Sequence, residues 1–111
     1  MNYYTAIYLA PTNVLDEWMQ KPEAERAAAE SEMKTQWDAW MAAHADSVQK
    51  TIALGKTKKV SSDGVSDARN GMMLSSYVAA ESLEAAAELF KDHPHLGIPG
   101  ATIEIMETRP M

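Results

Sequence analysis

The segment from Tyr3 to Ala10 most constrains what this chain can fold into. It is rich in Tyr, Thr and Ile, it ends at Pro11, and it reads as a β-strand. Tyr4, Ala6, Tyr8 and Ala10 fall on one face, and Tyr3, Thr5, Ile7 and Leu9 on the other. Both faces are largely apolar, so the strand must be covered on both sides. Helices can cover one face of a sheet. The other face needs a second layer, either within the chain or from a partner sheet.

The remaining elements follow from periodicity. Thr12 to Gln20 fits a short helical turn, with Thr12 or Asn13 as cap and Val14, Leu15, Trp18 and Met19 buried. Pro22 suits the first turn of a second helix reaching to about Val48. Its apolar positions Met33, Trp37, Trp40, Met41, His44 and Val48 form one stripe at helical period. Gln49 to Ser61 carries Thr51, Ile52, Thr57 and Val60 around Gly55 and reads as one strand, irregular at the glycine. Ser61 to Gly71 is polar and reads as a long loop. Met72 to Ala80 alternates as a third strand. Ser82 caps a helix running to about Asp92, with Leu83, Ala86, Ala87 and Phe90 inward. Pro94 ends it, and Thr102 to Thr108 is a fourth strand with Ile103 and Ile105 inward.

The order β-α-β-β-α-β predicts one α+β domain over residues 1–111. It is the ferredoxin-like arrangement, a four-stranded antiparallel sheet with its helices on one face. The bare face is then apolar, and a second copy packed sheet to sheet is the expected cover, giving a homodimer.

Charge and composition narrow the partners. A net charge of −6 leaves no basic face for phosphates, and the lone cluster Lys56, Lys58 and Lys59 suits a solvated edge strand. No nucleic-acid partner is expected. Without cysteine there are no disulfides and no thiolate chemistry, which fits a cytoplasmic location. No apolar run approaches the roughly 20 residues that span a bilayer, and Met1-Asn2-Tyr3-Tyr4-Thr5 lacks a basic leader pattern, so no membrane partner is expected.

The candidate chemistry lies in His93-Pro94-His95-Leu96-Gly97-Ile98-Pro99-Gly100, which carries two of the three histidines on a rigid connection. His95 and His93 are candidate general acid–base groups, because an imidazole titrates near neutrality. Asp63 is the candidate orienting carboxylate, with Asp92 as another. Tyr77 is placed to donate to a developing oxyanion, with Ser76, Trp40 and His44 lining the same pocket. Each has a plainer role as well. His93, just past a helix end, suits a cap; His44, Trp37 and Trp40 suit the core. No ligand set points to a metal, and no glycine-rich phosphate loop, nucleophile elbow or His-Glu-x-x-His helix points to a cofactor or hydrolase.

Several segments then carry a family resemblance: Asp63-Gly64, Met73-Leu74-Ser75-Ser76-Tyr77-Val78, Ser82-Leu83-Glu84-Ala85, His93-Pro94-His95-Leu96, Gly100-Ala101-Thr102-Ile103-Glu104-Ile105 and Arg109-Pro110. In this order they resemble the YCII-related family in its DGPF-type branch. Val65-Ser66 departs from the Pro-Phe of that signature. The resemblance implies a dimeric α+β barrel. Relatives with this barrel include lyases, isomerases and monooxygenases that act on small ring compounds without a metal, and the branch is associated with alternative sigma factors. Two functions are therefore expected to compete: a cofactor-independent enzyme transferring protons through a histidine, and a non-catalytic module that binds a small ligand or regulates as a dimer.

Overall fold

A computed structural model describes residues 1–111. The strands are β1 (Asn2–Leu9), β2 (Val48–Ala53), β3 (Thr57–Ser61), β4 (Gly64–Ala68), β5 (Met72–Ala80) and β6 (Thr102–Glu107). The helices are α1 (Thr12–Met19), α2 (Glu23–Ala43) and α3 (Leu83–Leu89), with a 3-10 turn at Pro94–Gly97. The chain is thus α+β. Its main sheet is four-stranded and antiparallel throughout, in the order β2-β5-β1-β6, and β3 and β4 form a separate two-stranded sheet.

The inner face of the main sheet carries the core. Tyr4, Ala6 and Tyr8 of β1 and Val78 and Ala80 of β5 pack against Trp40 of α2 and Ala86 and Phe90 at α3. Ser82 caps α3 as expected, its Oγ accepting from the Ala85 N–H at 3.1 Å. The outer face has no covering layer within the chain. Tyr3, Ile52, Tyr77 and Met106 are all well exposed there, and Tyr3 stacks on Tyr77 with ring centroids 5.1 Å apart.

Four expectations need correction. The strand expected over Gln49 to Ser61 is two strands, broken at Leu54–Lys56, and the loop expected from Ser61 to Gly71 contains β4. The overlooked signal is Asp63-Gly64 between Val60 and Val65, a short-hairpin turn flanked by β-branched residues. Ser61 pairs with Gly64, and Gly64 takes a φ of 128° that an L side chain rarely adopts. The long helix stops at Ala43, where His44 caps it; Val48 belongs to β2, and of the expected stripe within the helix only Trp40 is fully buried. Finally, α1 has Pro11 at its N-cap position, so no side chain caps it, and it buries none of its residues fully, so Val14, Leu15, Trp18 and Met19 are not core.

Gly71 fixes the return into β5. A Cβ there would strike the Ala10 carbonyl, and the Ala10 N–H donates to the Gly71 carbonyl at 2.9 Å. No helix is long and apolar enough to cross a membrane.

Candidate functional site

α3 ends at Leu89 and Pro94 starts the 3-10 turn that follows, and this places both imidazoles of the His-Pro-His segment inside the protein. His93 is 2% exposed and His95 1%. The His93 Nδ1 accepts the His95 backbone N–H at 2.9 Å, so the ring caps the turn. The neutral ring therefore carries its proton on Nε2, and that buried atom has no hydrogen-bond partner. Trp37 and Trp40 stand edge-on to the ring at centroid distances of 4.4 and 4.3 Å, with Tyr8 at 5.2 Å. Burial, reinforced by the nearby His95 and His44, lowers the His93 pKa to about 4. The ring is neutral at physiological pH.

His95 is held differently. Its Nε2 lies 2.8 Å from the Leu9 carbonyl, an acceptor only, so Nε2 is the donor. That bond ties the 3-10 turn to the end of β1. His44 donates from Nδ1 to the Trp40 carbonyl at 2.8 Å and stacks on the Trp40 ring at 4.1 Å, closing the C-terminus of α2. Beside the imidazoles runs a chain of hydroxyls that sequence reasoning missed in part. Tyr8 Oη and Ser76 Oγ lie 2.7 Å apart, and Ser76 Oγ and Thr51 Oγ1 also 2.7 Å. Burial raises the Tyr8 hydroxyl above its ordinary value. The signal for Tyr8 and Thr51 was present in strand alternation, which places both on the face of Ser76.

The structure thus gathers His93, His95, Ser76, Trp40 and His44 on the inner side of the sheet. It does not bring Tyr77 or Asp63 to them. Tyr77 follows Ser76 in an extended strand, and successive side chains point to opposite faces. It lies on the outer face and borders a shallow depression of about 590 Å³ with Tyr3 and Thr108. Asp63 sits exposed in the hairpin turn. No carboxylate hydrogen-bonds to any of the three imidazoles. No three His, Asp or Glu side chains converge to hold a metal ion.

A cavity of about 910 Å³ lies elsewhere, at the root of the β3–β4 arm. Leu15, Leu54, Met72 and Met73 give it an apolar floor. Its cations differ in their pairing. Lys58 is neutralised across the arm by Asp67. Arg69 grips Asp16 of α1 with two nitrogens, at 3.1 and 2.5 Å, which holds the Asp16 carboxyl below the usual carboxylate range. Lys56 forms no ion pair.

Together these features define an α+β protein with a closed imidazole–aromatic core and an open, partly cationic cavity beside a hairpin arm. No family model matches the chain, and no match was found among curated proteins.

Proposed function

We propose that the chain is a ferredoxin-like, YCII-related subunit of a homodimer, and that it binds a small ligand with an apolar body and an anionic group at the root of the β3–β4 arm. The observation that carries the ligand reading is the cavity of about 910 Å³, with its apolar floor and one unpaired amine, Lys56. A carboxylate or similar anion gains a charge-assisted contact there while its apolar part covers Leu54, Met72 and Met73.

Other observations support the fold and the dimer. With the arm set aside, β1 and β5 are the central strands and β2 and β6 the edges, all antiparallel, which fits the split βαβ arrangement. The exposed surface is 7765 Å². A compact monomer of 12.2 kDa exposes about 6,100 Å². The excess of roughly 1,700 Å² falls in the range that an obligate homodimer hides per subunit. The radius of gyration, 15.7 Å, likewise exceeds the ~13 Å of a compact domain this long.

The test uses hexanoate and hexan-1-ol as matched probes in thermal unfolding. Hexanoate is expected to raise the midpoint more than the alcohol, and Lys56→Met to abolish the difference. Equal responses of the wild type to both probes would sink the reading.

One observation favours the second reading, proton transfer at a histidine: the buried Nε2 of His93 has no partner. That chemistry requires the wall of Trp37 and Trp40 to open toward a substrate. Labelling with diethylpyrocarbonate, followed by mass spectrometry, tests it. A His93 that reacts as fast as the half-buried His44 would favour the second reading, and a protected His93 counts against it.

A further inference from the structure

The β3–β4 arm is an unusual thing for a small chain to hold out into water. It forms its own two-stranded sheet and shares no ladder with the main one. A lone two-stranded ribbon is marginally stable in water. Its root is anchored by Arg69 on Asp16, but its outer rungs are not. At Val60 and Val65, directly opposite each other, the side chains are 77% and 69% exposed. Apart from the two terminal methionines, they are the most exposed large apolar residues in the chain. The Lys58–Asp67 pair lies on the same face of the ribbon, so its charges cancel beside the apolar rung. The opposite face carries Thr57, Lys59, Ser61 and Ser66.

We infer that the β3–β4 arm is a clasp that reaches onto a second copy of this chain and buries the Val60–Val65 rung against it. This rests on the dimer proposed above and adds a contact to it. The area requires such a contact. The outer face of the main sheet is about 19 Å across and about 20 Å along the strands, a projected area of about 400 Å². Even doubled for corrugation, that covers about half of the surface excess. The arm and the first half of α2 expose the rest, and of these the arm carries the uncovered apolar rung. Charge points to the same partner. Residues 56–69 hold Lys56, Lys58, Lys59 and Arg69 against Asp63 and Asp67, on a chain of net charge −6, so a cationic arm meets an acidic copy of itself.

Sedimentation velocity over a dilution series on the full chain tests the clasp, with V60T/V65T beside wild type and Tyr77→Lys. Threonine keeps the β-branched shape that suits a strand, so the ribbon is preserved and the apolar contact is lost. Two arms per symmetric dimer double the effect. V60T/V65T is expected to raise the dimer dissociation constant at least about ten-fold, with an unchanged circular dichroism spectrum. A wild type that stays monomeric at 100 µM would overturn the dimer and the clasp together. A wild-type dimer dissociated by Tyr77→Lys but not by V60T/V65T would overturn the clasp and leave the sheet-to-sheet dimer standing. Should V60T/V65T misfold, a bimane label on Ser62→Cys, unique in this cysteine-free chain, reports the arm tip directly. Its emission maximum is expected to shift to longer wavelength as the dimer is diluted and the tip returns to water, and a maximum that does not change across the dissociation transition refutes the clasp.

Discussion

The buried His93 makes stability depend on pH in a way that one substitution isolates. In the unfolded chain its imidazole titrates at the ordinary value near 6.5, whereas in the folded protein burial holds it at about 4. The unfolded state therefore takes up a proton more readily below pH 6.5. The stability that the neutral ring contributes is complete above pH 6.5 and is lost progressively as pH falls toward 4. Below 4 both states bind the proton and the loss levels off. At about 1.4 kcal/mol per pH unit the full interval is worth about 3 kcal/mol, of which about 2.5 kcal/mol is gone by pH 4.5. Asparagine at 93 removes the titration, and its Oδ1 can still accept the His95 N–H as the Nδ1 does now. The smaller side chain leaves a gap beside Trp37 and Trp40, so His93→Asn is expected to cost about 2 kcal/mol at pH 7.5. The assay is urea unfolding followed by tryptophan fluorescence at pH 7.5, 6.0, 5.0 and 4.5, at one protein concentration. The wild type should lose its advantage over the variant as pH falls, until the two converge near pH 5, with the variant ahead by about 0.5 kcal/mol at pH 4.5. Parallel profiles for the two proteins would show that the ring is not held neutral by burial and would refute this reasoning.

Other substitutions probe the packing around it. Trp40→Ala, which empties the centre of the core cluster, is expected to cost about 3–5 kcal/mol in the same urea assay, and a loss under 1 kcal/mol would contradict its place there. Ser76→Ala removes the middle of the Tyr8–Ser76–Thr51 hydroxyl chain and leaves a buried phenol without its partner, an expected cost of about 1–3 kcal/mol. Ser82→Ala strips the cap of α3 and should cost about 1 kcal/mol, read as a lower urea midpoint with an unchanged slope. Gly71→Ala forces a methyl group into the Ala10 carbonyl and should cost about 1–3 kcal/mol; a midpoint equal to wild type would mean that β5 does not enter where it is placed.

The parts of this fold that repeat with a period were legible in the sequence. Tyr4, Ala6 and Tyr8 alternate in β1, Ser76, Val78 and Ala80 in β5, and each set is buried as alternation requires. The Ser82 cap was legible because capping is local chemistry. The hairpin was overlooked because β4, Gly-Val-Ser-Asp-Ala, has little β propensity and no apolar alternation; only its turn and the valines on either side announce it. The reach of α2 was overestimated because its alanine-rich first half favours a helix without giving it a face to bury, and the apolar stripe ran past the cap at His44 into β2. The candidate site was half legible. His93, His95, Ser76, Trp40 and His44 do share the inner side of the sheet. Grouping Tyr77 with Ser76 overlooked the alternation that had already ordered the strand. The missing ingredient for the arm-root cavity was tertiary: Leu15, Lys56, Arg69 and Met72 come from separate elements, and no local pattern links them.

The two sites are physically connected, and the connection explains why a histidine suits position 95. The β1–β5 ladder is irregular between Tyr8 and Leu9, where Leu9 comes to lie opposite Met72. Met72 forms part of the floor of the arm-root cavity. An irregular strand end has a carbonyl that needs a donor from outside the ladder. The His95 Nε2–H supplies that donor to Leu9, from a ring that is itself buried and whose backbone N–H is fixed by His93. A flexible amine in this place would carry a charge into the core, and a hydroxyl would not span the distance. An imidazole donates one directed bond from Nε2 and fills the space with its ring. The His-Pro-His segment therefore braces the end of β1. Through Leu9 and Met72 it helps hold one side of the cavity in shape, with neither imidazole lining the cavity itself.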